Sequence, residues 1–368
     1  MKKNYNFKFI MIAVICNLFL TVHEVKAQWS LIPNSDSWVI VCMAASGSKI
    51  EVGAFQGLMT SNDFGSNWNI SSNLSNVGIN SIAISGNVFY AGISAGFFHS
   101  TDNGNNFTPL NNGLFIDSAI SAIGINGTTF WAGTYGAGIY VSTNSGTSWS
   151  AVNNGLTSLR INSIGIKGSN VYAGTESGGL FVSNNNGSSW TPLNTGILTY
   201  KYIANIVFSG NNIFINNGGV VRRSDDNGLT WTTLINGLNG ILVSTIQVYG
   251  NHIIAGTFHS GIYISYDNGD TWISISTGFP NYQITSIITS GTYMILSTFE
   301  NGMWYRPLTE LVGIEDFNKQ DEFNASVSPN PFNNTTTINY FLPQNQKVRL
   351  SIHNLLGEEI KVLITQLL

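Results

Sequence analysis

The chain has 368 residues, a formal charge of −4, only 9% charged residues and 39 glycines. Globular domains usually carry about a quarter charged residues, so this composition argues against long solvated helices and for many short strands joined by tight turns. The weak acidic balance leaves no basic footprint for nucleic acid.

Residues 1–27 read as a secretory signal. Lys2, Lys3 and Lys8 form a basic start, residues 9–22 an apolar run, and Val25, Lys26 and Ala27 a small-residue cleavage site. The run contains Asn17 and is shorter than the roughly 20 residues that span a bilayer, so no membrane span is expected. The exported chain then begins near Gln28 with one cysteine, Cys42. A single cysteine excludes an internal disulfide, and Cys42 reads as a buried filler.

A repeat organises the rest. Copies of one motif, hereafter the box, begin at Ser61 (SNDFGSNW), Ser100 (STDNGNNF), Ser142 (STNSGTSW), Ser183 (SNNNGSSW), Ser224 (SDDNGLTW) and Ser265 (SYDNGDTW), and their serines are 39, 42, 41, 41 and 41 residues apart. A fixed period near forty marks a repeat array. Each box sits between short alternating apolar runs, which places it in a hairpin loop. Asp63, Asp102, Asn144, Asn185, Asp226 and Asp267 occupy its third position. Asn at two of these keeps the turn-forming bonds but has no acid–base chemistry, so the position reads as structural. A unit such as 79–110 has four strands, the content of one propeller blade. In its first strand Ile82, Ile123, Ile164, Ile206, Ile246 and Ile287 recur, while Ala83, Gly124 and Gly165 keep the alternate places small.

The expected fold is all-β: a single seven-bladed β-propeller of four-stranded blades. The seventh blade, from Ile284 to Pro307, has no box and no strand of W-x-x-L type after it. Trp29–Ile32 supplies that pattern at the other end of the chain, so this N-terminal strand is expected to close the ring, burying Trp29 and Leu31. Closure removes an exposed sheet edge.

The pattern S-x-D-x-G-x-x-W resembles the Asp-box, or BNR, repeat of the sialidase-like β-propellers. That resemblance implies a group including sialidases, xyloglucanases, sorting receptors of the sortilin type and a photosystem II assembly factor. After the propeller (28–308) comes an acidic segment read as a linker (309–326). Residues 327–368 follow, with Ser328-Pro-Asn-Pro-Phe332, Val348–Ile352 and Asn354-Leu-Leu-Gly357. They resemble the type A sorting domain of the bacterial type IX secretion system, read here as a truncated, three-stranded partial β-sandwich. The resemblance implies secretion or display at the cell surface, with the type IX machinery as a partner.

A sialidase of that group needs three arginines around a carboxylate. The blades hold only Arg160, Arg222, Arg223 and Arg306, and the middle two adjoin a box. A glycosidase needs two carboxyl groups across one bond. The acids expected on the face opposite the boxes are Asp36, Asp117, Glu176 and Glu300, and the last two lie three blades apart. His259 has no histidine near it in sequence, so neither metal nor cofactor is expected. Aromatic residues outnumber charges on that face, with Trp38, Phe97 and Tyr202 placed there too. The leading reading is a non-catalytic platform for an extracellular glycan or protein. It is built from Tyr135, Glu176, Phe258, His259, Phe299 and Glu300, and widened by Arg160, Tyr200, Lys201 and Tyr282 on the inter-blade loops. The alternatives are a glycoside hydrolase or an assembly scaffold.

Overall fold

The computed structural model describes residues 29–33, 35–114, 119–197 and 200–312, and beyond them four separate strands. The signal-like segment, Asp117 and most of the expected linker lie outside the described residues. The described residues form seven four-stranded antiparallel sheets and two two-stranded ones. Each propeller blade follows the order read from the repeat. Blade two, for example, consists of Ile79–Ser85, Val88–Ile93, Gly96–Ser100 and Thr108–Pro109. Blade one starts at Ile40 and blade seven at Ile284.

The ring closes through Ser30–Leu31, which pairs antiparallel with Met303–Pro307 (Ser30 with Tyr305, Leu31 with Trp304). The strand is as expected, but one buried partner is not. Trp29 and Ile32 are buried, whereas Leu31 is 39% exposed. In blades four and six the box tryptophan and the residue three further on, Trp190 with Leu193 and Trp272 with Ile275, are buried together. A two-residue strand is too short to impose strict alternation on its flanks, so the W-x-x-L column decides.

First strands line the axis. In all seven the register slips between the first and third residues, as between Ile79 and Ser81 or Ile161 and Ser163. A bulge of this kind adds twist to a crowded strand. A side chain on Gly124 would overlap Ile164 of the next blade, and one on Gly165 would meet Ile206 and Phe208. Small residues on one blade thus receive isoleucines from its neighbour, as the sequence pattern implied. Cys42 is a partly buried member of this inner packing, and burial, with Glu51 adding, pushes its thiol up.

The boxes share one hydrogen-bond scheme. In Ser224–Trp231 the Ser224 hydroxyl donates to Asp226 Oδ1 (2.7 Å) and accepts from Gly228 N–H (2.7 Å), while Thr230 N–H and O–H donate to the Asp226 carboxylate (2.9 and 2.6 Å). Where the box carries Asn144 or Asn185, the amide donates instead to Ser148 or Ser189 (2.9 Å each). Donor and acceptor exchange roles and the turn is kept. Two consecutive left-handed residues make the bend, for example Asn268 (φ 59°) and Gly269 (φ 91°).

Hydrogen bonds from the loop hold Asp102 and Asp226 down at about 2. Their contribution is therefore present above the ordinary value of 3.8 and is lost as pH falls towards 2. Asp226→Asn is expected to melt with the parent at pH 7 and to weaken the acid dependence. Gly269→Ala forces a Cβ into positive φ and against Leu234, and should cost about 1–3 kcal/mol. Urea unfolding at pH 7 and pH 3 measures both. Loss of binding in Asp226→Asn at unchanged stability would move the box from scaffold to site.

The second unit takes in Leu311–Leu368. Asn324–Ser328 pairs with Thr337–Phe341, and Lys347–His353 with Glu359–Leu367. The sequence pattern suggests three strands here and the structure has four. The first begins inside the segment read as linker.

Candidate functional site

One face carries the boxes. The other carries the second-to-third-strand loops and the inter-blade loops, and the repeat places one residue of each blade at its rim, directly after the second strand. These residues are Phe55, Ser94, Tyr135, Glu176, Gly218, Phe258 and Phe299. Six of them donate a backbone N–H to the inter-blade loop beside them: Phe55 to Val39, Tyr135 to Ala119, Glu176 to Arg160, Gly218 to Tyr202, Phe258 to Leu242 and Phe299 to Gln283, at 2.9–3.2 Å. Each of these rim positions is therefore fixed at its backbone. Such positions suit recognition, because little order has to be imposed on binding.

The rim is aromatic and exposed at Phe55, Tyr135 and Phe299, and half-buried at Phe258. Gly218 leaves a gap that Tyr200 overhangs, its Cβ 3.1 Å from where a glycine side chain would begin. Tyr200, Tyr202, Leu159 and Leu242 add exposed apolar surface on the inter-blade loops.

Three of the expected residues are brought together across blades three and four. Arg160 Nη1 lies 2.9 Å from Glu176 Oε2, Tyr135 O–H donates to Glu176 Oε1 at 3.3 Å, and the Arg160 guanidinium stands 4.7 Å from the Tyr135 ring centre. The Glu176 carboxylate pushes Arg160 up; burial, then Glu176 and Tyr135, push up the Tyr202 phenol. Both carboxylate oxygens of Glu176 are thus engaged, and the group is an orienting anchor rather than a free acid. No interaction among the described residues joins it to Glu300, which is exposed in blade seven, as His259 is in blade six.

Two expected members of the face belong elsewhere. Phe97 is fully buried and packs on Trp149 (5.0 Å) and Phe130 (6.4 Å), because it lies in the third strand of blade two. Tyr282 is half-buried between Phe279 (6.2 Å) and Trp304 (6.4 Å), so it props the wall of blade seven. Lys201 joins the face through its backbone, its carbonyl accepting Gly179 N–H at 2.9 Å. Phe55 and the two exposed leucines were missed. Phe55 could have been found by aligning it with the Tyr135 column.

The remaining arginines are committed to the blades. Arg222 donates to Asn217 and Thr233. Arg223 pairs with Asp270 at 2.8 Å. Arg306 is buried beside Trp29, donates to Ile275 O and lies 3.4 Å from Glu310. No arginine triad converges among the described residues. The axial channel, about 580 Å³, is lined by uncharged side chains such as Asn80, Ser121, Asn162 and Gln247.

These features define a seven-bladed β-propeller with an aromatic loop face. A family model described as the DUF6242 beta propeller domain matches residues 171–298, less than half of the chain. The solved structure of YCF48 bound to D1 peptide is similar, with a TM-score of 0.61 and 18% identity over 76% of this chain and 94% of that one. The GH74 xyloglucanase from Xanthomonas campestris gives a TM-score of 0.59 and 15% identity over 77% of this chain and 54% of that one. An ancestral GH74 enzyme gives 0.60 and 17% over 90% and 50%. The chain spans about half the length of these GH74 enzymes, and at such identities the likeness is one of fold. No curated protein matches the sequence. No helix among the described residues is long and apolar enough to cross a membrane.

Proposed function

We propose that the chain is a non-catalytic binding propeller, exported from the cytoplasm, that holds a protein or glycan partner on its loop face. The observation that carries this reading is the exposed rim of Phe55, Tyr135 and Phe299, fixed by backbone bonds around a Glu176 that Arg160 already neutralises. Aromatic and arginine side chains presented in this way are the usual anchors of recognition. Leu159 and Leu242 beside them favour a protein surface over a sugar chain. The solved YCF48 structure holding a peptide on a similar propeller supports the same choice. Export rests on the signal-like N-terminus, and the type IX machinery is its proposed carrier through the C-terminal resemblance.

Pull-down against envelope extracts, a glycan array and a panel of chromogenic glycosides test the reading together. Tyr135→Ala and Phe258→Ala should each weaken the ligand so found by about 1–2 kcal/mol, at unchanged melting temperature. Turnover of a glycoside that vanishes in Glu176→Gln or Glu300→Gln would replace this proposal with a glycosidase.

A further inference from the structure

The junction between blades seven and one differs from the regular junctions, those after blades two, three, four and six. In the regular junctions a side chain after the fourth strand accepts the N–H that opens the third strand: Asn111 from Phe97, Asn153 from Ile139, Asn194 from Leu180, Ser276 from Ile262. Two residues later comes a glycine, as at Gly113 and Gly155, and next an apolar residue, as at Leu114 and Leu156. A Cβ on Gly113 or Gly155 would overlap the backbone oxygen of the following box tryptophan, Trp149 or Trp190. The glycine is what lets the next blade dock. Two bonds then hold it: Trp149 and Trp190 donate their backbone N–H to Asn112 and Asn154 (2.9 and 2.8 Å) and their indole N–H to Leu110 and Val152 (2.8 and 2.7 Å).

At the seam Ser35 takes the capping place, accepting Met303 N–H at 2.9 Å, and Trp38 takes the apolar place, its N–H directed at Ser35 O (3.3 Å). The glycine position falls on Ser37. At this seam neither bond forms for Trp68. Its indole N–H is buried without a partner, and Ile32 O, the matching acceptor, is taken by the Ser35 hydroxyl at 2.7 Å. Trp272 also leaves its indole unpaired, but its backbone N–H is held by Asn236 O at 3.0 Å. Trp68 has neither bond among the described residues.

The undocked seam is a cleft of about 630 Å³, within the usual range of ligand sites, about 300–1,000 Å³. Trp38, Trp68, Tyr293 and Tyr305 line it, Ser66 and Asn67 add hydroxyl and amide groups, and no charged side chain among the described residues contributes. Phe64 stands at its edge, 46% exposed, with φ 60° where the other boxes place Asn or Ser. A bulky residue in that region is strained, and such strain collects at binding sites.

We propose that this cleft binds a short neutral oligosaccharide. Flat aromatic faces stack on the C–H faces of sugar rings, and uncharged donors and acceptors suit their hydroxyls. The absence of charge in the lining selects against uronic and sialic acids.

The test is titration of the full chain with neutral xylo- and cello-oligosaccharides, acidic oligogalacturonides and neutral peptides, read by calorimetry and tryptophan emission. The exposed aromatic side chains of the loop face are tyrosine and phenylalanine, whereas Trp38, expected on that face, lines the seam with Trp68, so a change in tryptophan emission of the parent reports the seam. Trp68→Phe replaces the indole, its N–H included, by the smaller phenyl ring that blade two already carries there as Phe107, and Tyr293 lies at the surface, so both variants should fold. A neutral saccharide is expected to bind, about fivefold more weakly in Trp68→Phe and about tenfold in Tyr293→Ala, and unchanged in Tyr135→Ala. Binding of peptides or acidic sugars alone, no binding, or neutral-sugar binding lost in Tyr135→Ala but kept in both seam variants would overturn the proposal.

Discussion

A chain that begins at Ser35 is expected to unfold well below the full-length protein and to self-associate. Without Trp29–Pro33, blade seven keeps three strands and Met303–Pro307 becomes an open edge, a template for pairing with another molecule. The core packing of two side chains goes with the strand. Trp29 meets Phe279 edge-on at 5.8 Å and donates its indole N–H to Ile275 O at 3.0 Å, and Ile32 sits in the core shared with Met43 and Met303. Trp29→Ala alone should cost about 3–5 kcal/mol, a large share of a total stability of about 5–15. Leu31→Ala should change little, because that side chain is 39% exposed. Urea midpoints of the two point variants, with size-exclusion chromatography of the truncated chain, measure this. Equal losses in Trp29→Ala and Leu31→Ala would mean that the closing strand sits in another register.

The propeller was legible because its repeat is strict. A column of isoleucines, a column of serines and one displaced W-x-x-L pattern settle blade number and closure before any contact is known. What the repeat does not carry is the phase of a side chain wherever alternation breaks. Leu31 was misassigned beside a two-residue strand. Phe97 was placed on the loop face although the third strand had already begun at Gly96. The loop-face column was legible in part: Tyr135, Glu176, Phe258 and Phe299 were found, and their interplay with Arg160 was not, because it joins two blades through side-chain reach. The seam was illegible for a different reason. Ser37 looks ordinary until the glycines in its column are seen to touch the next blade's backbone.

The same column logic exposes Glu51, and replacing it should stabilise the protein in a pH-dependent way. Glu51 is the third residue of the strand Lys49–Ala54, where blades two to seven carry Tyr90, Trp131, Tyr172, Phe214, Ile254 and Ile295. It is fully buried and neither carboxylate oxygen has a hydrogen-bond partner. Nothing in the structure explains a carboxyl there. Burial pushes it well above the ordinary 4.5, so the folded state keeps a proton that the unfolded state releases. Stability from this group is full below pH 4.5 and falls as pH rises towards the folded value, by at most about 1.4 kcal/mol per pH unit. Glu51→Gln should therefore match the parent near pH 4 and exceed it increasingly at pH 6 to 8. Glu51→Leu restores the apolar column and relieves the unpaired polar atoms as well, worth about 1–3 kcal/mol more. Urea unfolding of the parent and both variants from pH 4 to 8 reads out the slopes. A constant gap between parent and Glu51→Gln across that range would show that the carboxyl titrates as it does in water, and that the blade opens to solvent at this point.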